Sequence, residues 1–97
     1  MKTLDQVTEV LHAWGISHRQ INQFLDSDTA EQKGTQVIAI EKCLELLYPE
    51  LKQKQRFLTT SSKIAFFEGR EPLDVILSGN LEQMESAYRV IRSMLCI

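Results

Sequence analysis

The chain has 97 residues, enough for one domain that buries roughly two thirds of the surface its unfolded form exposes. Hydrophobic residues make up 43% of it and charged residues 25%, a composition that excludes an intrinsically disordered chain. The formal net charge of −2 argues against non-specific nucleic-acid binding as the main activity, because such binding depends on neutralising phosphates. We expect a single domain spanning residues 1–97.

Neither targeting nor membrane insertion is indicated by the apolar segments. The first apolar stretch is interrupted by Asp5, Glu9 and His12, which is not typical of a signal peptide. No stretch approaches the roughly 18 apolar residues of a membrane span. Cys43 and Cys96 fit neither a metal-ligand spacing nor a disulfide framework, and we expect Cys43 in the core and Cys96 as a candidate exposed thiol. The sequence therefore predicts a cytoplasmic protein without membrane association.

Two short helices are predicted at the start of the chain. Apolar residues recur at helical spacing from Leu4 to Trp14, and Gly15 closes this first helix. Ser17 opens the second helix and forms a capping box with Gln20. The apolar face of the second helix consists of Ile21, Phe24 and Leu25.

The third predicted helix is the longest and carries the widest apolar stripe. Its apolar residues are Val37, Ile38, Ile40, Cys43, Leu44, Leu46 and Leu47. A stripe of this width is typical of a central core helix. Gly34 weakens the first turn, which allows the helix to begin after it. Pro49 ends the helix and fits the first turn of a fourth one, which carries Leu51 and Phe57.

Turn residues separate the fourth helix from a short fifth one. Residues 59–62 are expected to form a loop, and residues 64–67 either a short helix or an apolar plug. Pro72 begins the fifth helix and Gly79 ends it. Its inward residues are expected to be Leu73, Ile76 and Leu77.

The last predicted helix begins with a capping box formed by Asn80 and Gln83. Its apolar residues form a narrow seam, Leu81, Met84, Tyr88, Ile91 and Leu95. A seam at this spacing suits packing against one other helix, either in the protein's own core or in a second copy or another partner. Together the elements predict an all-α fold, a compact single-domain bundle.

No catalytic arrangement is visible. His12 and His18 are six residues apart, do not share a helical face, and have no carboxylate or cysteine at metal-ligand spacing. The sequence contains neither a nucleophile elbow nor a glycine-rich phosphate loop. We therefore expect no enzyme, with no catalytic residues, no metal and no cofactor.

One run of basic residues stands out. Lys52, Lys54, Arg56 and Lys63 lie close together without an intervening carboxylate. This run is either a local basic patch or an ordinary solvated helix face.

The segment from Val7 to Asp26 has the proportions of a helix-turn-helix, with one glycine and one buried residue in its turn. The second helix would present polar side chains suited to base edges and phosphates. These candidate DNA-binding residues are Ser17, His18, Arg19, Asn22 and Gln23. The alternative is a helical hairpin with a purely structural role.

The most informative stretch is a glycine–arginine turn, Gly69-Arg70, that leads into Pro72-Leu73-Asp74 and closes on Gly79. With it go two further motifs, Leu46-Leu47-Tyr48-Pro49 followed by Phe57-Leu58, and the helix start at residues 16–21. Through these motifs the chain resembles the Xre/MbcA/ParS-like antitoxin family of bacterial toxin–antitoxin systems, from about Val7 to Gly79. It departs from that family at Phe57, where tryptophan is usual, and at residues 61–62, where a proline–asparagine step is usual.

The resemblance implies a function and a set of partners. It implies a helix-turn-helix-like half at residues 1–48 and a toxin-binding half at residues 49–97. The partner would be a RES-domain toxin that consumes NAD, and a homodimer would repress its own operon by binding operator DNA. The toxin-binding residues would be Gly69, Arg70, Pro72, Leu73 and Asp74, with the seam of the last helix as a further partner or dimer surface.

Three alternatives stay open at this point. Arg70 is either the toxin anchor or a surface charge that pairs with Glu71 or Asp74. The protein as a whole is either an antitoxin or a stand-alone DNA-binding regulator without a toxin. The third possibility is a small helical interaction module that binds neither.

Overall fold

Six α-helices make up most of the described chain. The structure, a computed structural model, describes residues 2–61 and 67–95, and of residues 2–4 only the backbone. The helices are α1 (Lys2–Ala13), α2 (His18–Leu25), α3 (Ala30–Leu47), α4 (Leu51–Thr59), α5 (Pro72–Leu77) and α6 (Leu81–Ser93). No strand occurs in the described ranges, so the predicted all-α fold class is confirmed. None of the described helices is long and apolar enough to cross a membrane.

Helix α3 lies at the centre of the fold. It packs against α1, α2 and α6, and the side chains of Val37, Ile40 and Leu44 are fully buried. Buried residues from all six helices belong to the same hydrophobic cluster. The central position predicted from the apolar stripe is thus confirmed, but a start after Gly34 is wrong. The helix begins at Ala30 and contains Gly34 as a buried residue.

The turn between α3 and α4 differs from the prediction. Tyr48 leaves the helical conformation with φ −135° and ψ 83°, as expected for a residue before proline. Glu50, rather than Pro49, directly precedes α4, so the proline lies outside the first turn. The rings of Tyr48 and Phe57 stack with centroids 5.3 Å apart and join the two helices.

Helix α4 extends through Thr59, so the predicted loop begins later than expected. The alternative between a short helix and a plug at residues 64–67 falls mostly outside the described residues. Phe67 itself is described, and it is fully buried in the core.

Helix α5 begins at Pro72 and ends before Gly79, as predicted. The φ of Gly79 is 79°, in the left-handed region that favours glycine. The inward face was only partly predicted, since Pro72, Val75 and Ile76 are buried whereas Leu73 and Leu77 are half-buried.

Candidate interaction surfaces

The turn between α1 and α2 is a Schellman motif. The φ of Gly15 is 93°, its amide donates to the His12 carbonyl at 2.9 Å, and the Ile16 amide donates to the Leu11 carbonyl at 3.1 Å. Both Leu11 and Ile16 are buried, which supplies the hydrophobic contact that usually accompanies this motif. The side-chain amide of Gln55 on α4 donates to the Ala13 carbonyl at 2.8 Å, so α4 helps to cap α1.

Every residue predicted to contact DNA lies at the N-cap of α2 or on its outward face. Ser17, His18, Arg19, Asn22 and Gln23 are all exposed, whereas Ile21 and Phe24 are buried. Ser17 caps the helix by accepting a hydrogen bond from the Gln20 amide at 3.3 Å. Its hydroxyl also donates to the Gln20 side-chain oxygen, so the two side chains bond each other in place of a full capping box. The N-terminal end of α2 is therefore both defined and accessible.

Two histidines meet across the same turn. The rings of His12 and His18 stack with centroids 5.8 Å apart and an angle of 7° between their planes. Sequence spacing separates them, and the Schellman turn brings them together. Within residues 5–61 and 67–95, no group of three or more His, Cys, Asp or Glu side chains could hold a metal ion.

The glycine–arginine turn is anchored at both ends by buried residues, Phe67 and Pro72. Between them Glu68 and Gly69 are left-handed, with φ values of 51° and 83°. The backbone amide and the side-chain Nε of Arg70 each donate to the Phe67 carbonyl at 2.9 Å. The second of these bonds holds the guanidinium at its Nε, while Arg70 as a whole stays exposed.

The candidate toxin-binding residues therefore do not share one surface. Gly69, Arg70 and Asp74 are exposed and Leu73 is half-buried. Pro72 is buried and supports the turn from the inside.

The seam predicted on the last helix is used mainly inside the protein. Met84 and Ile91 are fully buried where α6 packs against α3 and α5, and Leu81 and Tyr88 are half-buried. Leu95 lies beyond the helix, which ends at Ser93. The seam was expected to pack either in the protein's own core or against a partner, and packing in the core accounts for Met84 and Ile91.

An apolar groove of about 450 Å³ lies beside the seam, between α1, α3 and α6. Ile38, Cys43 and Tyr88 line it, and so does Leu46, whose 74% exposure is unusual for a leucine. Burial raises the pKa of the Cys43 thiol, and the Arg92 cation partly opposes this effect. The thiol thus behaves as a core residue, as predicted. Cys96 lies outside the described residues.

Lys54 fits neither interpretation of the basic run, a local basic patch or a solvated helix face. Lys54 is buried, and its Nζ lies 2.8 Å from Glu41 Oε1 and 3.9 Å from Glu45 Oε1. Lys52 and Arg56 are exposed, and Lys63 lies outside the described residues. The sequence did carry a signal for this burial, because Lys54 precedes the buried Leu58 by four residues and so shares its helix face.

A second buried lysine was also missed. Lys33 is only 7% exposed, and its Nζ donates to the Phe24 carbonyl and to Ser27 Oγ, both at 3.0 Å. The ammonium also lies 5.2 Å from the centroid of the Phe24 ring. Lys33 precedes the buried Val37 by four residues, and this spacing was the available signal.

Comparison of the chain with family models, with curated proteins and with solved structures finds no match. The resemblance to the antitoxin family consequently rests on the short motifs alone. The structure exposes two of them, the start of α2 and the Gly69-Arg70 turn.

Proposed function

We propose that this protein is an antitoxin-like, non-enzymatic protein that binds and neutralises a RES-domain, NAD-consuming toxin in the cytoplasm. The observation that supports the proposal most is the fixed Gly69-Arg70 turn, in which two bonds to the Phe67 carbonyl hold an exposed arginine. The turn is also the sharpest of the motifs that resemble the family.

The chemistry of the turn suits recognition of an acidic or polar cleft. A guanidinium pairs with carboxylates and phosphates through two parallel hydrogen bonds. Because the Phe67 carbonyl already positions the Arg70 side chain, less conformational entropy is lost when a partner binds. Asp74, exposed in the first turn of α5, adds a charge of opposite sign, and the half-buried Leu73 adds apolar area. A partner with complementary charges opposite Arg70 and Asp74 is therefore favoured over partners without them.

Co-expression with the protein encoded beside this one tests the proposal. We expect a stoichiometric complex on purification through a tag on this chain, and growth arrest when this chain is omitted. Arg70→Ala should weaken the complex by about 30-fold or more, the usual effect of truncating one partner of a buried charge pair.

Arg89→Ala is the matched control, because Arg89 is a 74% exposed arginine that pairs with Glu85 on α6, away from the turn. This variant should bind as the wild type does. Full neutralisation by Arg70→Ala would contradict the role of the turn, and a non-toxic neighbour would contradict the proposal as a whole.

The second candidate function is operator binding by a homodimer, either coupled to neutralisation or alone in a stand-alone regulator. The exposed N-terminal end of α2, with Arg19 and the amides of Asn22 and Gln23, favours it. A promoter fragment of its own gene should then bind with an affinity that falls steeply with salt.

Ser17→Asp separates capping from DNA contact. Aspartate caps a helix as well as serine does, so the stability of α2 should be kept while the added charge repels phosphate. Unchanged DNA affinity in this variant would exclude the N-terminal end of α2 as the contact surface.

A further inference from the structure

The two buried lysines differ in how their charge is balanced. Lys54 lies 2.8 Å from a carboxylate oxygen of Glu41. Lys33, which is equally buried, bonds only neutral oxygens, those of Phe24 and Ser27. No carboxylate of residues 5–61 or 67–95 forms an ion pair with Lys33. Burying an ammonium without a counter-charge costs several kcal/mol, so this site calls for an explanation.

Lys33 lines a cavity of about 250 Å³ between α2, the start of α3 and the α5–α6 connection. An ammonium carries three N–H donors, and the Phe24 and Ser27 oxygens accept two of them. Gly79 also lines the cavity, and a Cβ at this position would lie at an ordinary contact distance of 3.5 Å from Lys33 Nζ.

The other polar side chains of the cavity lining are Gln20, Gln23 and Ser78, and none of them is a carboxylate. The Ser78 hydroxyl donates to the Val75 carbonyl. Gln20 and Gln23 reach the cavity from α2, and each carboxamide has an NH₂ group with two donors. The Gln20 oxygen already accepts from the Ser17 hydroxyl, which leaves its NH₂ group for other contacts. A buried cation flanked by amide donors selects an anion with several acceptor oxygens.

We propose that this cavity binds a small oxyanion, a phosphate or a carboxylate, on Lys33 with Gln20 and Gln23 as further donors. Its volume lies below the range of about 300–1,000 Å³ that is usual for drug-sized ligands, so a small anion fits better than a nucleotide. The bound anion neutralises Lys33 and ties the end of α2 to α3. The site depends neither on toxin binding nor on DNA binding.

Titration of the full chain with inorganic phosphate and, separately, with acetate tests the site, with sodium chloride holding the ionic strength constant. We expect saturable shifts of the backbone amide NMR signals of residues 20, 23, 33, 78 and 79, together with a rise in Tm. Saturation by phosphate alone identifies a phosphate site, and saturation by acetate alone identifies a carboxylate site. Linear, unsaturated shifts with both anions would overturn the proposal.

Lys33→Met should abolish saturation, whereas Lys52→Met, which removes the charge of an exposed lysine on α4, should leave it intact. Gln23→Leu tests the same site without altering a buried residue, since Gln23 is exposed on α2. Loss of one hydrogen bond to a charged ligand should weaken binding about tenfold. If Lys33→Met does not fold, an unchanged affinity in Gln23→Leu would still overturn the proposal.

Discussion

The carboxylate of Glu41 on α3 lies 2.8 Å from the ammonium of Lys54 on α4, and both side chains are almost fully buried, at 13% and 10% exposure. Glu45, 3.9 Å from the same ammonium, is 66% exposed and contributes little. The buried pair joins two helices whose connection contains a proline and no helical residue. It therefore fixes the position of α4, and with it Gln55, which caps the end of α1.

Breaking this pair should destabilise the protein strongly. Glu41→Leu leaves the buried Lys54 ammonium with only the exposed Glu45 carboxylate, 3.9 Å away. Lys54→Met removes the cation that pairs with the Glu41 carboxylate. Each single variant should lose about 3 kcal/mol, the effect expected when one member of a buried ion pair is removed. The double variant should lose at least ~1 kcal/mol less than the sum. Urea unfolding of all four proteins measures this cycle. Strictly additive losses would contradict the coupling.

Two neighbouring leucines of α3 provide a direct test of the packing. Leu44 is fully buried, whereas Leu46 is 74% exposed. Leu44→Ala should lose about 3 kcal/mol, through lost burial and the cavity left behind. Leu46→Ala, the same chemical change two residues away, should stay within about 0.5 kcal/mol of the wild type. The measurement is the midpoint of urea unfolding, which reports stability when the m-value, the slope of the free energy against urea concentration, is unchanged. A large loss at Leu46 would show that this side chain is covered in solution.

Local signals made most helix boundaries predictable. Gly15 and Gly79 mark turns because they adopt left-handed backbone, and Pro72 fits the first turn of α5 because its φ is already helical. Ser17 and Asn80 cap α2 and α6 through their own side-chain oxygens. Each of these effects involves residues within a few positions of one another, so sequence reasoning finds them.

The two lysines were missed because their burial depends on partners distant in the sequence. Lys54 bonds Glu41, 13 residues away, and Lys33 bonds Phe24, nine residues away. Helical spacing places each lysine on the same face as a buried residue four positions later, but lysine is rarely buried unless acceptors lie near it, and the fold supplies those acceptors. The exposure of the α2 face and of the Arg70 turn was predictable from helical period and turn chemistry. Neither pattern identifies a binding partner for these surfaces.

Gly69 and Gly79 both have left-handed backbone, with φ values of 83° and 79°. Alanine at either position should cost about 1 kcal/mol, because an L residue is strained in this region. A Cβ at Gly69 meets nothing within 4 Å, and one at Gly79 lies at an ordinary contact distance of 3.5 Å from Lys33 Nζ. The two losses of stability should therefore be similar in salt without oxyanions. Thermal unfolding compares them, and a much larger loss for Gly79→Ala would mean that Lys33 cannot shift.

Stability at high pH should depend on Cys43. Burial raises the pKa of its thiol above the ordinary value of 9.0, and the nearby Arg92 cation opposes this only in part. The unfolded chain therefore releases this proton at lower pH than the folded one. The contribution of Cys43 to stability is complete below pH 9.0 and is lost as the pH rises through the higher pKa of the folded state. Urea unfolding at a series of pH values measures the free energy of unfolding, with Cys96→Ser present in every protein. This free energy should fall more steeply with pH when Cys43 is kept than in Cys43→Ala. Parallel curves would mean that the thiolate is as well solvated in the folded protein as in the unfolded chain.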